Sequence, residues 1–199
     1  MKAKNIQTLF LAVVLIAIII LARLVPHSPN FIPVAAIALF AGFMLKNKYW
    51  ALSIPLLGML ISDFLFVGSY EAGSMLFVYI GLCLPVFMSF ILKWNPRLSF
   101  LPATLQKGGA HCLKWTAAAL SASIVFFVVS NLGVWLFSGM YTLDLAGLIN
   151  CFTLAIPFFQ YTVLGDLAYV FIFFGAYELA IASARFNWRM KEEVSVKTV

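Results

Sequence analysis

Charge is scarce in this chain. Asp, Glu, Lys and Arg make up 10% of its 199 residues, against about 25% in an ordinary soluble domain. Histidine occurs twice and cysteine three times. Cys83, Cys112 and Cys151 share no pairwise spacing motif, which excludes a disulfide framework and a zinc site. There is no H-E-x-x-H helix, no G-x-S-x-G elbow and no glycine-rich phosphate loop. With no such constellation we expect neither an enzyme nor a cofactor. No ATP-binding domain is present, so active transport would draw on a partner module or a gradient.

What the chain has is apolar surface. Hydrophobic residues make up 64%, too much to hide in one soluble core of this length. The fold class expected is all-α, an integral membrane protein with a single transmembrane domain over 1–199 and its faces on the lipid bilayer. Apolar runs and polar punctuation place six spans at about 6–25, 30–45, 50–67, 74–92, 113–137 and 160–184. The segment 144–158 is read as a short half-helix at the surface or dipping in. The first run is longer than a signal-peptide core and no small-x-small site follows, so it is expected to remain as a helix.

Basic residues then orient the chain. With the N-terminus inside, the inner segments hold Lys2, Lys4, Lys46, Lys48, Lys93, Arg97, Lys107, Lys114, Arg185, Arg189, Lys191 and Lys197, and only Arg23 lies near the outer side. The positive-inside rule then predicts both termini on the cytoplasmic face. The net charge of +6 reflects this topology and not nucleic-acid binding. Trp50, Trp94, Trp115 and Trp188 fall near inner boundaries and Trp135 near an outer one, as an aromatic belt would.

The stretch "ARLVPHSPNFIPVAA" (residues 22–36) carries the one outer arginine and a histidine. Pro26 favours ending the first helix. Ser28 is a good N-cap, with Pro29 at the first helical position of the next. Arg23 and His27, four apart, share a face if the last turn stays helical. Other polar residues recur at the same outer depth: Asn30 at the turn, Asp63 in the third span, Tyr79 in the fourth, Asn131 in the fifth, Gln160 and Asp166 in the sixth. Glu178 is the exception, near the inner end. A charge inside the hydrocarbon costs several kcal/mol unless paired or wet. Two accounts fit this layer: a pocket open to the outside, with Arg23 answering Asp63 and Asp166, or polar residues joining helices.

The blocks "RLVPHSPNFIPVAAIALFAG", "LISDF", "SNLGVWLFSGMY" and "AIPFFQYTVLGDLAY" resemble an uncharacterised family of bacterial six-span membrane proteins, over nearly the whole chain. More remotely, the chain resembles the substrate-binding S subunits of energy-coupling-factor vitamin transporters, above all the solitary cobalamin-uptake proteins. That resemblance implies a bacterial inner-membrane location, an S-subunit-like bundle and a small vitamin-like solute, with a corrinoid as the specific case. It carries over onto His27, Asp63, Tyr79 and Cys83. Cys83 would be the cobalt ligand of a bound corrinoid, a soft donor suited to such a metal. The order of Tyr79 and Cys83 is reversed here, and Arg23 would replace an arginine that the family has near its last span.

Two functions are therefore expected. One is a solute-binding uptake protein using Arg23, His27, Asn30, Asp63, Tyr79, Asn131, Gln160 and Asp166, alone or with an energising transporter module. The other is a non-transporting scaffold of the cell envelope.

Overall fold

The computed structural model describes residues 2–67, 71–94 and 109–197, with side chains over 5–66, 71–90 and 113–186. The side chains of Lys2, Lys4, Lys93, Trp94, Arg97, Lys107, Cys112, Trp188, Arg189, Lys191 and Lys197, named above, lie outside the described residues. Among the described residues all the regular structure is helical: α1 (Lys2–Leu24), α2 (Val34–Met44), α3 (Lys48–Ser62), α4 (Ala72–Trp94), α5 (Gly109–Phe137) and α6 (Leu145–Lys197). A π-helical turn, Asp63–Val67, continues α3. Five of these helices are long and apolar enough to cross a membrane; the short one is α2.

Helix α2 is the centre of the bundle. It touches all five other helices, and every residue from Val34 to Gly42 is buried. A helix that is apolar all round belongs inside, and its alanines let neighbours come close. A Cβ on Gly42 would stand 2.7 Å from the Val86 carbonyl oxygen of α4. One turn earlier, Ser89 Oγ donates to the Leu39 carbonyl at 2.5 Å. The longer helices carry their large apolar residues outward instead, among them Phe10, Leu57, Leu76, Ile124 and Leu179.

Successive helices alternate in direction. Arg23 meets Ser62 while Ile19 meets Gly58, so α1 and α3 run together. Phe77 meets Gly133 while Gly81 meets Phe126, so α4 and α5 run opposed. Phe31 lies by Tyr169 and Phe43 by Tyr177, so α2 runs with α6. One end of the bundle therefore holds the α1–α2 turn (the turn end), and the other holds the α2–α3 loop with Lys46 and Lys48 (the basic end).

Toward the basic end, Phe40, Phe43, Trp115, Phe174 and Tyr177 form an aromatic cluster. Trp115 stacks on Phe174 with ring centroids 3.7 Å apart, and Phe43 meets its edge at 4.9 Å. Trp115 is thus a buried core residue and not part of an interfacial belt: α2 and α6 enclose it.

Two spans differ from the sequence expectation. The second begins at Val34, not residue 30. Phe31 N–H donates to the Ser28 carbonyl at 3.0 Å, and Asn30 has φ +64°. With Pro29 before it, this is the pattern of a type II turn, so Ser28 caps no helix. Ile32 precedes Pro33 and is biased away from helix, which delays α2 to Val34. The chain between descends as irregular backbone, tolerated at depth where protein surrounds it. The last span is also different. The segment 144–158 is no separate half-helix, because α6 runs unbroken for 53 residues. Pro157 removes one N–H, which apolar spans tolerate. Phe152 and Cys151 pack the first turns onto Phe127 and Asn131 of α5.

Candidate functional site

At the turn end, one charged cluster joins three helices. Arg23 Nη1, on the last turn of α1, lies 2.7 Å from Asp63 Oδ1. The same nitrogen donates to Ser62 Oγ at 2.9 Å and to Met59 Sδ at 3.0 Å. Ser62 spends its own hydrogen on the Met59 carbonyl, leaving its lone pairs for the guanidinium. Tyr79 O–H of α4 donates to Asp63 Oδ2 at 2.9 Å. The side chains of Arg23 and Asp63 are 15% and 3% exposed. A buried carboxylate needs such a partner set. The helix widens to π winding at Asp63 itself, and its next residues, Phe64, Leu65 and Phe66, face outward. π turns often mark functional positions.

Asp166 stands apart from that cluster. It is 2% exposed on α6, and its Oδ2 lies 2.6 Å from Ser123 Oγ of α5. Arg23 therefore answers Asp63 and not Asp166. Depth separates the two acids. Tyr79 meets Asp63, whereas Leu82, three residues further along α4 and about 4.5 Å deeper, borders the space beside Asp166. That space is a cleft of about 30 Å³ among Asn30, Ile32, Val34, Leu82, Thr162 and Asp166. It holds about one water. Gly165 lets α6 approach it closely, since a Cβ there would sit 3.3 Å from Phe31 Cα.

The remaining candidates scatter. His27 is exposed beyond the end of α1, its Nδ1 3.0 Å from the Ser28 carbonyl. It does not share a helical face with Arg23, because α1 ends at Leu24. Asn131 Nδ2 donates to its own helix at the Phe127 carbonyl, 2.8 Å away. Gln160 is exposed and Cys83 half-buried, and neither lines the cleft. No group of three or more His, Cys, Asp or Glu that could hold a metal occurs among the described residues. Sequence reasoning missed Ser62, Ser123 and Thr162. Their signal was faint: small hydroxyl residues inside apolar runs, next to or opposite the acids.

Outside the spans two carboxylates cap helices. Glu71 accepts from the backbone N–H groups of Gly73 and Ser74 at the start of α4. Those bonds, Ser74 first, hold its pKa below the ordinary range. Asp144 accepts from Gly147 N–H and the Thr142 hydroxyl at the start of α6, which lowers its pKa in the same way, Gly147 first. A larger cavity of about 650 Å³ opens at the basic end among Asn5, Gln7, Lys46, Asn47 and Trp50. None of the candidate residues lines it.

The chain belongs to a family of unknown function, DUF6580, which it matches over residues 2–190. No curated protein and no solved structure matches it.

Proposed function

We propose that this is a six-span membrane protein of the bacterial inner membrane, with both termini in the cytoplasm, that binds a small vitamin-like solute for uptake. The basic residues of the sequence support that orientation, and it makes the turn end the outer face. The observation that carries the reading is the cleft at Asp166: a buried acid, with Thr162, sits in a mostly apolar opening that the exposed Asn30 of the turn also lines. The resemblance to vitamin-transporter S subunits agrees with it. Solute sites usually measure about 300–1,000 Å³, so binding has to part the segment that leads into α2 from α6 along the Phe31–Gly165 contact. Arg23, Asp63 and Tyr79, which do not line the cleft, then act as a clamp that holds α1, α3 and α4 together while it widens.

The test is thermal stability of detergent-purified protein against a panel of vitamins that includes cobalamin and cobinamide. A solute that binds the folded state raises its stability by mass action. A selective shift that Thr162→Val weakens supports the reading. A folded protein with no shift across the panel refutes it.

One observation favours a second reading, a membrane scaffold. The Arg23–Asp63–Tyr79 cluster pairs its charges internally and ties three helices together, as helix-joining polar groups do. Cysteines placed at 63 and 162 separate the two. An impermeant thiol reagent reaches 162 but not 63 from outside if the cleft admits solute, and reaches neither in a closed scaffold.

A further inference from the structure

Ser123 Oγ lies within hydrogen-bond distance of two groups, the Ala119 carbonyl at 3.0 Å and Asp166 Oδ2 at 2.6 Å. A hydroxyl has one hydrogen. A carbonyl has none to give, and neither has a carboxylate. Two full bonds form together when Asp166 carries a proton: Asp166 O–H then donates to Ser123 Oγ, and Ser123 O–H donates to the Ala119 carbonyl; an ionised Asp166 leaves one hydrogen to be shared between two acceptors.

The surroundings agree with a neutral acid. The other residues lining the cleft, from the turn, α2, α4, α5 and α6, are Asn30, Ile32, Val34, Ala35, Leu82, Phe126 and Thr162, and none of them titrates. Thr162 gives its hydrogen to the Phe158 carbonyl. Among the described residues the guanidinium at this end is held by Asp63. An ionised carboxylate without a cation in such a place is costly. The cleft itself has room for a water.

We propose that Asp166 is a proton-binding site whose proton exchanges with water at the turn end through this cleft. On release, the acid O–H bond breaks, its electron pair stays on the carboxylate, and the proton passes to the cleft water as hydronium. Ser123 then turns its hydrogen from the Ala119 carbonyl to Asp166 Oδ2. The Ala119 carbonyl can keep its helical N–H partner, so the switch leaves no buried acceptor empty. The proton site stands whether or not a solute binds; resting on the uptake reading, it also supplies that reading with a coupling ion.

The experiment is infrared difference spectroscopy of the full chain in lipid nanodiscs as pH is raised. Wild type is expected to show a protonated-carboxyl C=O band at neutral pH that disappears on alkalinisation. Asp166→Asn is expected to lack it. Ser123→Ala, which removes the hydrogen-bond acceptor, is expected to keep the band and shift it upward. Ile32→Trp, which fills the cleft, is expected to slow its hydrogen–deuterium exchange. A spectrum without a protonated carboxyl at neutral pH overturns the proposal, as does a band that survives in Asp166→Asn. An exchange rate unchanged by Ile32→Trp overturns the route. A vitamin panel without a thermal shift leaves this band in place, so failure of the uptake reading and failure of the proton site are distinguishable.

Discussion

Neutralising Arg23 and Asp63 one at a time and then together tests whether the turn-end cluster is a coupled unit. Asp63→Asn keeps an acceptor for Tyr79 but leaves the guanidinium without its counter-charge. Arg23→Gln leaves a carboxylate that is 3% exposed. Unit charges about 4 Å apart attract by about 4 kcal/mol at an effective dielectric constant of 20, and stranding one member of a buried pair costs about 3–5 kcal/mol. Arg23 is 15% exposed at a helix end and can extend toward water, so Asp63→Asn belongs at the low end, about 3 kcal/mol. That is roughly a 150-fold change in the unfolding equilibrium. Asp63 is short and cannot follow, so Arg23→Gln is expected to cost more. The double variant replaces the ions by two amides that still hydrogen-bond. It should recover about 2–3 kcal/mol relative to the sum of the single losses. The assay is reversible unfolding in mixed micelles, monitored by helical circular dichroism. Additivity within about 0.5 kcal/mol would show that the two groups do not act as a pair, and the clamp proposed for α1, α3 and α4 would fall with it.

Three further outcomes follow from the packing and the caps. Gly42→Ala places a methyl 2.7 Å from the Val86 carbonyl and 2.8 Å from Ser89 Cβ. It should destabilise by about 1–3 kcal/mol despite the better helix propensity of alanine, and a neutral or stabilising result in the same unfolding assay would show that α2 and α4 are not this close. Phe174→Ala empties the centre of the aromatic cluster and should cost about 3–5 kcal/mol, with loss of near-ultraviolet dichroism from Trp115. Glu71 and Asp144 have folded pKa values below their ordinary 4.5 and 3.8. The stability they lend is therefore complete above the ordinary values and is lost as pH falls through the lowered ones. Thermal melts across the acidic range should be flatter for Glu71→Gln and Asp144→Asn than for wild type; equal slopes would remove the caps from the account.

Helices α1, α4 and α5 were legible in the sequence because long apolar runs and their flanking polar residues mark them within a few positions. The meeting of Arg23 with Asp63 was legible as well, since charge inside hydrocarbon demands a partner and both fall near the same end. The partner of Asp166 was not. It depends on a depth difference of about one helical turn and on the face α6 turns to α5, neither of which hydropathy encodes. The start of α2 was misplaced for a local reason: Pro29 can open a helix or take the second place of a type II turn, and the left-handed Asn30 decides for the turn. Helix α6 passes through Pro157 because an isolated proline stops a helix in water more firmly than in an apolar span.

The enclosed position of α2 bears on how the protein is made. Its partners in α4, α5 and α6 lie later in the chain than α2 itself. At about 5–20 residues per second, α2 leaves the ribosome on the order of ten seconds before Phe174 exists to pack against Phe40. During that interval it is too short to cross the bilayer unaided, and it has α1 and α3 as its only sequence neighbours. Biogenesis therefore passes through a stage in which the future core waits half-covered. Truncations that stop before α6 should expose that stage to the membrane's quality-control proteases.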